Sequence, residues 1–314
     1  MCRSWPGVPK VSVFRCLTLV ACLQTAGCSF QDDLTPHEWV PFEAIGGALR
    51  PDMGNPAAPP QQPNPTLRVV TYNIHLGPDI PGLAADIQKN TALSRADVFF
   101  FEEIESHPAD GKTQAAWLAG LLGMNYAYAP AWAYPNGGTH GLAVLSRFPL
   151  GGAQVLQLPH FDLVTGSEPR IAIRMTVTVG AQALPVVVVH LDTRINVNQR
   201  LQQLEPAIQG AAPTSILGGD FNSNPYVWAD RVLPLLPQEA AAPIDTAAAI
   251  DQLMSSYGFA APTSGSGITT NAISNARLDS IYTRGYIPMG FGVERSVTIS
   301  DHYPVWADIA WPPQ

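Results

Sequence analysis

Long apolar runs alternate with stretches of helical periodicity from about residue 67 onward. The runs are rich in Val, Ile and Phe and predict strands at 67–73, 98–103, 141–146, 170–179, 184–190, 215–220, 278–283 and 304–310. Helices are predicted near 83–94, 113–122, 200–211 and 246–257. Because a strand that is buried on both faces reads as a continuous apolar run, the pattern predicts sheets covered by helices.

Polar side chains stand where several of these apolar runs end or begin. When core strands each deliver a polar residue at one end, a single convergent site above a sheet is the simplest expectation. In chain order the polar residues are Asn73, Glu103, His190, Asp220, Asn222, Asp301 and His302.

The segment 218–222 carries the strongest of these signals. Gly218 and Gly219 end an apolar run and let the backbone pass close to a ligand. Asp220 and Asn222 lie two residues apart, so in extended geometry they face the same side. A carboxylate next to an amide suits a hard cation and a phosphate.

These motifs, taken in order, resemble the endonuclease/exonuclease/phosphatase superfamily of deoxyribonuclease-like nucleases, inositol polyphosphate phosphatases and bacterial sphingomyelinases. The similarity runs from about residue 67 to 309. The matching segments are 71–75, 101–104, 141–147, 190–191, Arg200 with Gln203, 219–222, 277–282 and 300–305. The resemblance implies an α/β fold, a four-layer α-β-β-α sandwich of two packed mixed sheets flanked by helices. It also implies hydrolysis of a phosphodiester or phosphomonoester that depends on a divalent metal.

The resemblance further implies a role for each site residue. Asn73, Glu103 and Asp301 correspond to ligands of Mg²⁺ (or Mn²⁺), with one or two ions left open. Asp220 positions or deprotonates the attacking water, and Asn222 holds a phosphate oxygen. The remaining catalytic residues are His190, which donates to the phosphate or the leaving group, and His302, which Asp279 orients. Which of His190, Asp220 and His302 is the acid and which the base stays open.

The chain departs from the superfamily pattern at one carboxylate. The second motif usually reads Leu-Gln-Glu-Val, whereas here Glu102 precedes Glu103. Strand alternation predicts that Glu102 points away from the site, and a second metal contact through Glu102 is the alternative. We expect His75 to contact the substrate, and Arg147 and Arg170 either bind phosphate or form surface pairs.

The first 28 residues have the pattern of a bacterial export signal. Their only charges are three cations, and the apolar stretch 16–23 precedes the small residues Ala26 and Gly27. Small residues directly before a cysteine resemble a lipoprotein signal, so we expect Cys28 to be lipidated. Cys22 is the alternative lipidation site, and cleavage with release to the periplasm or medium is the alternative fate.

Three segments follow from this reading: a signal peptide with a lipobox-like cysteine (1–28), a proline-rich tether (29–65) and a catalytic domain (66–314). Ser29 takes the place of the aspartate that commonly retains lipoproteins at the inner membrane, which favours the outer membrane. We therefore expect an exported monomer that an N-terminal lipid anchors in the bacterial cell envelope.

Charge and cysteine content narrow the function. All four cysteines lie in residues 1–28, so the predicted catalytic domain has neither a disulfide nor a thiolate metal site.

The formal charge of −8 disfavours binding of long nucleic acid, which draws affinity from Lys and Arg. Phospholipid, nucleotide and sugar phosphate are the expected substrates, with a nuclease as the alternative. A non-catalytic envelope lipoprotein that uses the fold for binding is the alternative from another class. Loops 134–138 and 263–270 are expected to set substrate choice.

The lipid anchor predicts the outcome of metabolic labelling. Cells that express the chain and are fed a radioactive fatty acid should incorporate label into the wild-type protein and into Cys22→Ser. Cys28→Ser should take up none, because it lacks the acceptor thiol. Label in Cys28→Ser would refute this assignment.

Overall fold

The computed structural model describes residues 51–58, 66–77, 79–161, 167–223, 246–270 and 276–311. The predicted signal peptide and most of the predicted tether lie outside the described residues. Within the described ranges, no helix has both the length and the apolar composition that crossing a membrane requires.

Two mixed sheets dominate the described part of the chain, and their strands are numbered in chain order. In spatial order the seven-stranded sheet contains β1 (Asp52–Gly54), β4 (Asn125–Ala133), β5 (Thr139–Ser146), β3 (Val98–Ser106), β2 (Thr66–Asn73), β12 (Val305–Ala310) and β11 (Ile287–Val293). The five-stranded sheet contains β10 (Asp279–Arg284), β9 (Ser215–Asp220), β8 (Gln182–His190), β7 (Ile171–Val179) and β6 (Leu150–Gln157). Each sheet holds one parallel pair, β2 with β3 and β8 with β9, and the other pairs are antiparallel.

Helices cover the outer face of each sheet. The described helices are α1 (Ile80–Lys89), α2 (Gln114–Leu122), α3 (Val197–Gln209) and α4 (Thr246–Ser256). Side chains of α1 and α2 pack on the seven-stranded sheet, and those of α3 and α4 pack on the five-stranded sheet. A third apolar cluster fills the space between the two sheets. The predicted four-layer sandwich is therefore confirmed.

The apolar run of β3 shows why both faces of a central strand are hydrophobic. Val98 and Phe100 point between the sheets, whereas Phe99 and Phe101 point toward the helices. The rings of Phe99 and Phe101 stack with centroids 5.3 Å apart. Period-two alternation thus places each half of the run in a different core layer.

Four strands were not predicted from the sequence. They are β1, β4, β6 and β11, and their sequences contain alanine, glycine or proline where a strong strand signal has β-branched residues. Pairing with a neighbouring strand, and not intrinsic propensity, makes these segments extended.

The start of α1 and one part of the predicted tether differ from the prediction for local reasons. Helix α1 was predicted to start at 83 but begins at Ile80, because the Asp79 carboxylate accepts a hydrogen bond from Gly82 N at 2.9 Å. Residues 52–54 were predicted to belong to the tether but pair with β4. The Asn55 side chain adds hydrogen bonds of 2.8 and 3.1 Å to the backbone of Leu150. This part of the predicted tether therefore belongs to the sheet.

Gly219 sets how closely β9 approaches β8. Its φ of 146° and its packing both require glycine, because a Cβ there would lie 1.9 Å from the carbonyl oxygen of Val189. The parallel register of the two strands pairs Val189 with Gly219 and His190 with Asp220. A residue without a side chain therefore brings two polar strand ends side by side.

Gly219→Ala should destabilise the protein by about 2 kcal/mol or more, because the methyl group meets backbone in a strained conformation. Urea denaturation would measure the change as a lower transition midpoint. Gly290→Ala is the matched control, since a Cβ at that strand position meets nothing within 4 Å. Equal stability of the two variants would contradict the expected clash.

Candidate active site

The ends of six strands meet where the two sheets open to the same side. The carboxyl ends of β2 and β3 supply Asn73 and Glu103, and those of β8 and β9 supply His190 and Asp220. The antiparallel strands β10 and β12 begin at this edge. Asp279 stands at the start of β10, and Asp301 and His302 come just before β12. All three lie beside the four residues from the carboxyl-terminal parts of the parallel strands.

One carboxylate oxygen lies at the centre of the cluster. Asp220 is 1% exposed, and its Oδ2 lies 3.0 Å from Asn73 Nδ2, 3.6 Å from His190 Nε2 and 3.8 Å from His302 Nε2. Its Oδ1 accepts a hydrogen bond from the backbone N–H of Asn222 at 2.8 Å. Burial raises the pKa of Asp220 to about 6, although the charge of His302 opposes that shift.

Asp279 orients His302, as predicted from the resemblance. His302 Nδ1 lies 2.9 and 3.1 Å from the two carboxylate oxygens of Asp279, which is fully buried. Donation from Nδ1 turns Nε2 toward Asp220. Burial alone lowers the pKa of His302, but Asp279 and Asp220 outweigh burial and raise that pKa well above its ordinary value. The two carboxylates therefore favour the protonated form of His302.

Arg170 is a site residue to which the sequence assigned no definite role. Its Nη1 lies 3.0 Å from Nδ1 and 3.4 Å from Nε2 of His190. Being almost equally far from both nitrogens, the guanidinium lies over the face of the ring. The other terminal nitrogen of Arg170, Nη2, lies 3.2 Å from Glu168 Oε2. Burial lowers the pKa of His190 well below its ordinary value, and the charge of Arg170 adds to the effect.

Arg147, the other arginine with an open assignment, lies at the opposite end of the sheet. Its guanidinium donates to the carbonyl oxygens of Ala96 and Ser94, at 2.8 and 2.7 Å. These residues precede β3, whereas the site residue Glu103 lies in the second half of that strand. Arg147 therefore fastens a loop and does not belong to the site.

A bulge in β3 aims Glu103 at the cluster. Glu103 has a φ of 54°, and the register with β5 shifts between Phe101 and Ile104. Glu103 Oε1 accepts a hydrogen bond of 2.8 Å from Asn73 Nδ2. His75 joins Glu103 to Asp301, because its Nδ1 lies 3.8 Å from an oxygen of each.

The expected direction of Glu102 was wrong. Glu102 is completely buried, and the hydroxyl of Thr71 donates to its Oε1 at 2.9 Å. Burial, followed by the charge of Asp279, raises the pKa of Glu102 well above its ordinary value. Glu102 continues the alternation of Val98 and Phe100 and faces between the sheets, whereas the bulge turns Glu103 toward the same side, so Glu102 lies beneath the cluster.

Asn222 supports the site through its main chain and its side chain. Its backbone N–H contacts Asp220, and its Nδ2 donates to the carbonyl oxygen of Leu191 at 2.8 Å. Arg200, also fully buried, holds the following loop by donating to the carbonyls of Asp192, Thr193 and Ile195. The motif at 200–203, for which the sequence suggested no role, thus fixes the loop that follows His190.

Seven ionisable or amide side chains offer ligands for a cation. Glu103, His190 and Asp220 form one group with ligand atoms within 4.8 Å of one another, and Asp220, Asp279 and His302 form a second. Asn73 adjoins the first group, and Asp301 meets it through His75. Buried carboxylate oxygens and an amide fit a hard divalent ion, which would offset the negative charge that burial concentrates here.

Comparisons with known proteins agree with this geometry. The sequence profile described as the Endonuclease/Exonuclease/phosphatase family matches residues 70–302. No protein with a curated description matches the chain significantly.

Several solved structures share the fold. An endonuclease/exonuclease/phosphatase from Beutenbergia cavernae is 22% identical, with a TM-score of 0.59 over 79% of this chain and 72% of that one. The human Nocturnin catalytic domain is 19% identical (TM-score 0.52; 83% and 96% covered), and a mannosyl-6-phosphatase from Bacteroides thetaiotaomicron is 17% identical (TM-score 0.52; 78% and 100% covered). The family profile and the strand-end cluster together show that the chain belongs to the Endonuclease/Exonuclease/phosphatase family.

Proposed function

We propose that the protein is a divalent-metal-dependent phosphoesterase that hydrolyses a phosphodiester or phosphomonoester by in-line attack of water. Members of its family are hydrolases that act on phosphoester bonds. The observation that carries the proposal is the environment of Asp220 Oδ2, which one amide and two imidazoles approach within 3.8 Å. A carboxylate so placed can take a proton while the imidazoles face the phosphate.

Glu103, Asp301 and the amide oxygen of Asn73 would hold Mg²⁺ or Mn²⁺. When bound, the ion supplies positive charge to a phosphate oxygen. In this structure Asn73 Oδ1 accepts the backbone N–H of His75 at 3.0 Å, and its Nδ2 donates to two carboxylates. A half-turn of the amide would turn the oxygen toward Glu103, where a cation would accept it, at the cost of the hydrogen bond from His75.

The remaining residues act directly on the ester. Asp220 orients the attacking water and accepts its proton. His302, held by Asp279 and positively charged, donates a hydrogen bond from Nε2 to the phosphate or to the leaving oxygen. His190, kept neutral by burial and by Arg170, donates a second hydrogen bond. Asn222 keeps Asp220 in place and presents its amide to a phosphate oxygen.

The substrate we propose is a phospholipid, nucleotide or sugar phosphate, and a nuclease is the second candidate. The acidic formal charge of −8 supports the first group, whereas the endonucleases within the family support the second. A protein that only binds would have no use for a buried Asp279 aligned on His302. We also propose that the enzyme acts in the cell envelope, an assignment that depends on the N-terminal pattern alone.

Asp220→Asn and His302→Ala should each lower kcat on a phosphoester by about 100-fold or more, as expected for loss of a general acid or base. The screen uses p-nitrophenyl phosphate, bis-p-nitrophenyl phosphate, sphingomyelin and plasmid DNA. Glu205→Gln is the matched control, because it neutralises a carboxylate on α3 that contacts Tyr257 instead of the site. Full activity of both site variants would overturn the mechanism.

Chelation should abolish hydrolysis, and added Mg²⁺ or Mn²⁺ should restore it. Glu103→Gln should raise the metal concentration for half-maximal activity at least tenfold, because an amide replaces a charged ligand. A metal titration of activity, repeated with Glu205→Gln, measures the shift. Hydrolysis that persists in excess chelator would rule out metal dependence.

A further inference from the structure

A second cluster of polar side chains lies outside the catalytic set, and Glu105 is at its centre. Glu105 is 5% exposed and stands near the end of β3. The hydroxyl of Tyr134 donates to its Oε1, and His107 Nε2 lies 2.8 Å from its Oε2. His140 Nδ1 lies 4.0 Å from Oε1. These four residues are named the Glu105 cluster.

The Glu105 cluster adjoins the catalytic residues through His140. One face of the His140 ring stacks on Trp132, with centroids 4.8 Å apart and planes inclined by 14°. The centroid of His140 lies 6.5 Å from that of His190. Burial and then Glu105 raise the pKa of Tyr134, and Glu168 and Glu103 add to the shift.

The turn that carries Tyr134 is fixed before any ligand arrives. Tyr134 N donates to Gly138 O at 2.8 Å, and Gly137 N donates to Tyr134 O at 2.9 Å. The turn packs against His107, since a Cβ at Gly138 would lie 3.0 Å from His107 Nδ1. The rings of His107 and Tyr134 also stack, 6.5 Å apart. Such preorganisation suits a surface that selects ligands.

The chemistry of the cluster indicates what it would accept. The half-buried Tyr134 ring and the His107 side chain, 37% exposed, present aromatic faces and hydrogen-bonding groups around a carboxylate. A few placed polar groups among aromatic rings are typical of sites for small organic ligands. Glu105 and the nearby Glu168 would repel a chain of phosphates, whose binding requires cations.

We propose that the Glu105 cluster is a subsite for the alcohol part of the substrate, where it favours an uncharged, hydroxyl-bearing group such as a sugar or polyol over a nucleic acid strand. The proposal rests on the proposed function and deepens it, because it assigns substrate choice to residues beside His190. Hydroxyl groups of the ligand would exchange hydrogen bonds with Glu105, Tyr134 and His107, while the ester phosphate occupies the catalytic cluster.

The subsite is tested by measuring kcat/KM on two classes of ester. The full chain is used, purified in detergent with Mg²⁺ or Mn²⁺. The hydroxylated esters are glucose 6-phosphate and the diester glycerophosphoinositol, and the reference esters are p-nitrophenyl phosphate and bis-p-nitrophenyl phosphate. Wild type should hydrolyse a hydroxylated ester with a higher kcat/KM than single-stranded DNA. In Tyr134→Phe and Glu105→Gln, kcat/KM should fall at least tenfold more on the hydroxylated ester than on the reference ester, mainly through KM.

Tyr257→Phe is the matched control, because the Tyr257 hydroxyl also donates to a carboxylate, that of Glu205, at 2.7 Å on the outer helices. Its kcat/KM on the hydroxylated ester and its kcat/KM on the reference ester should each stay within about twofold of the wild-type value. Equal losses on both classes of ester in the cluster variants, or a wild-type preference for DNA, would overturn the subsite alone. A wild type inactive on all of these substrates would remove the proposed function as well.

Discussion

The carboxylate of Asp220 is the constraint around which the site is arranged. A charged group that is 1% exposed is costly unless hydrogen bonds and opposite charges surround it. Here Asn73, the backbone of Asn222, and the two imidazoles provide those contacts. The glycine before Asp220 is equally necessary, since any side chain there would push β9 away from β8. Charge compensation and backbone packing therefore demand the same local geometry.

The position of the cluster follows from the topology of the two sheets. Each sheet has one parallel pair, and the carboxyl ends of both pairs point to the same opening. Antiparallel neighbours add Asp279 at the start of β10 and Asp301 and His302 just before β12, so six strands position the residues of one cleft. Side chains on packed strands move less than side chains on loops, which keeps the donors in place before substrate binds.

The imidazoles of His302 and His190 both lie near the Asp220 carboxylate, but their surroundings shift their pKa values in opposite directions. His302 lies between Asp279 and Asp220, which outweigh burial and raise its pKa, whereas burial and then the Arg170 guanidinium lower the pKa of His190. Environments that push the pKa values of neighbouring groups apart are a common way to separate acid from base roles. Two cations that the structure describes near the site are Arg170 and Arg200. Both are buried among carboxylates, carbonyls and rings, so these two arginines shape the site and do not form a basic surface.

The sequence by itself determined the central strands and the polar residues at their ends, because long apolar runs can be buried in few ways. The two-sheet fold followed from the resemblance of these motifs to a known family. Tertiary structure decided the rest. The strands β1, β4, β6 and β11 exist through pairing with neighbours, since their own residues favour extended structure weakly. The β3 bulge brought Glu103 to the same side as Glu102, and the contact of Arg170 with His190 joins residues 20 positions apart. Such contacts depend on backbone register and on distant chain segments, which local patterns of hydrophobicity do not encode.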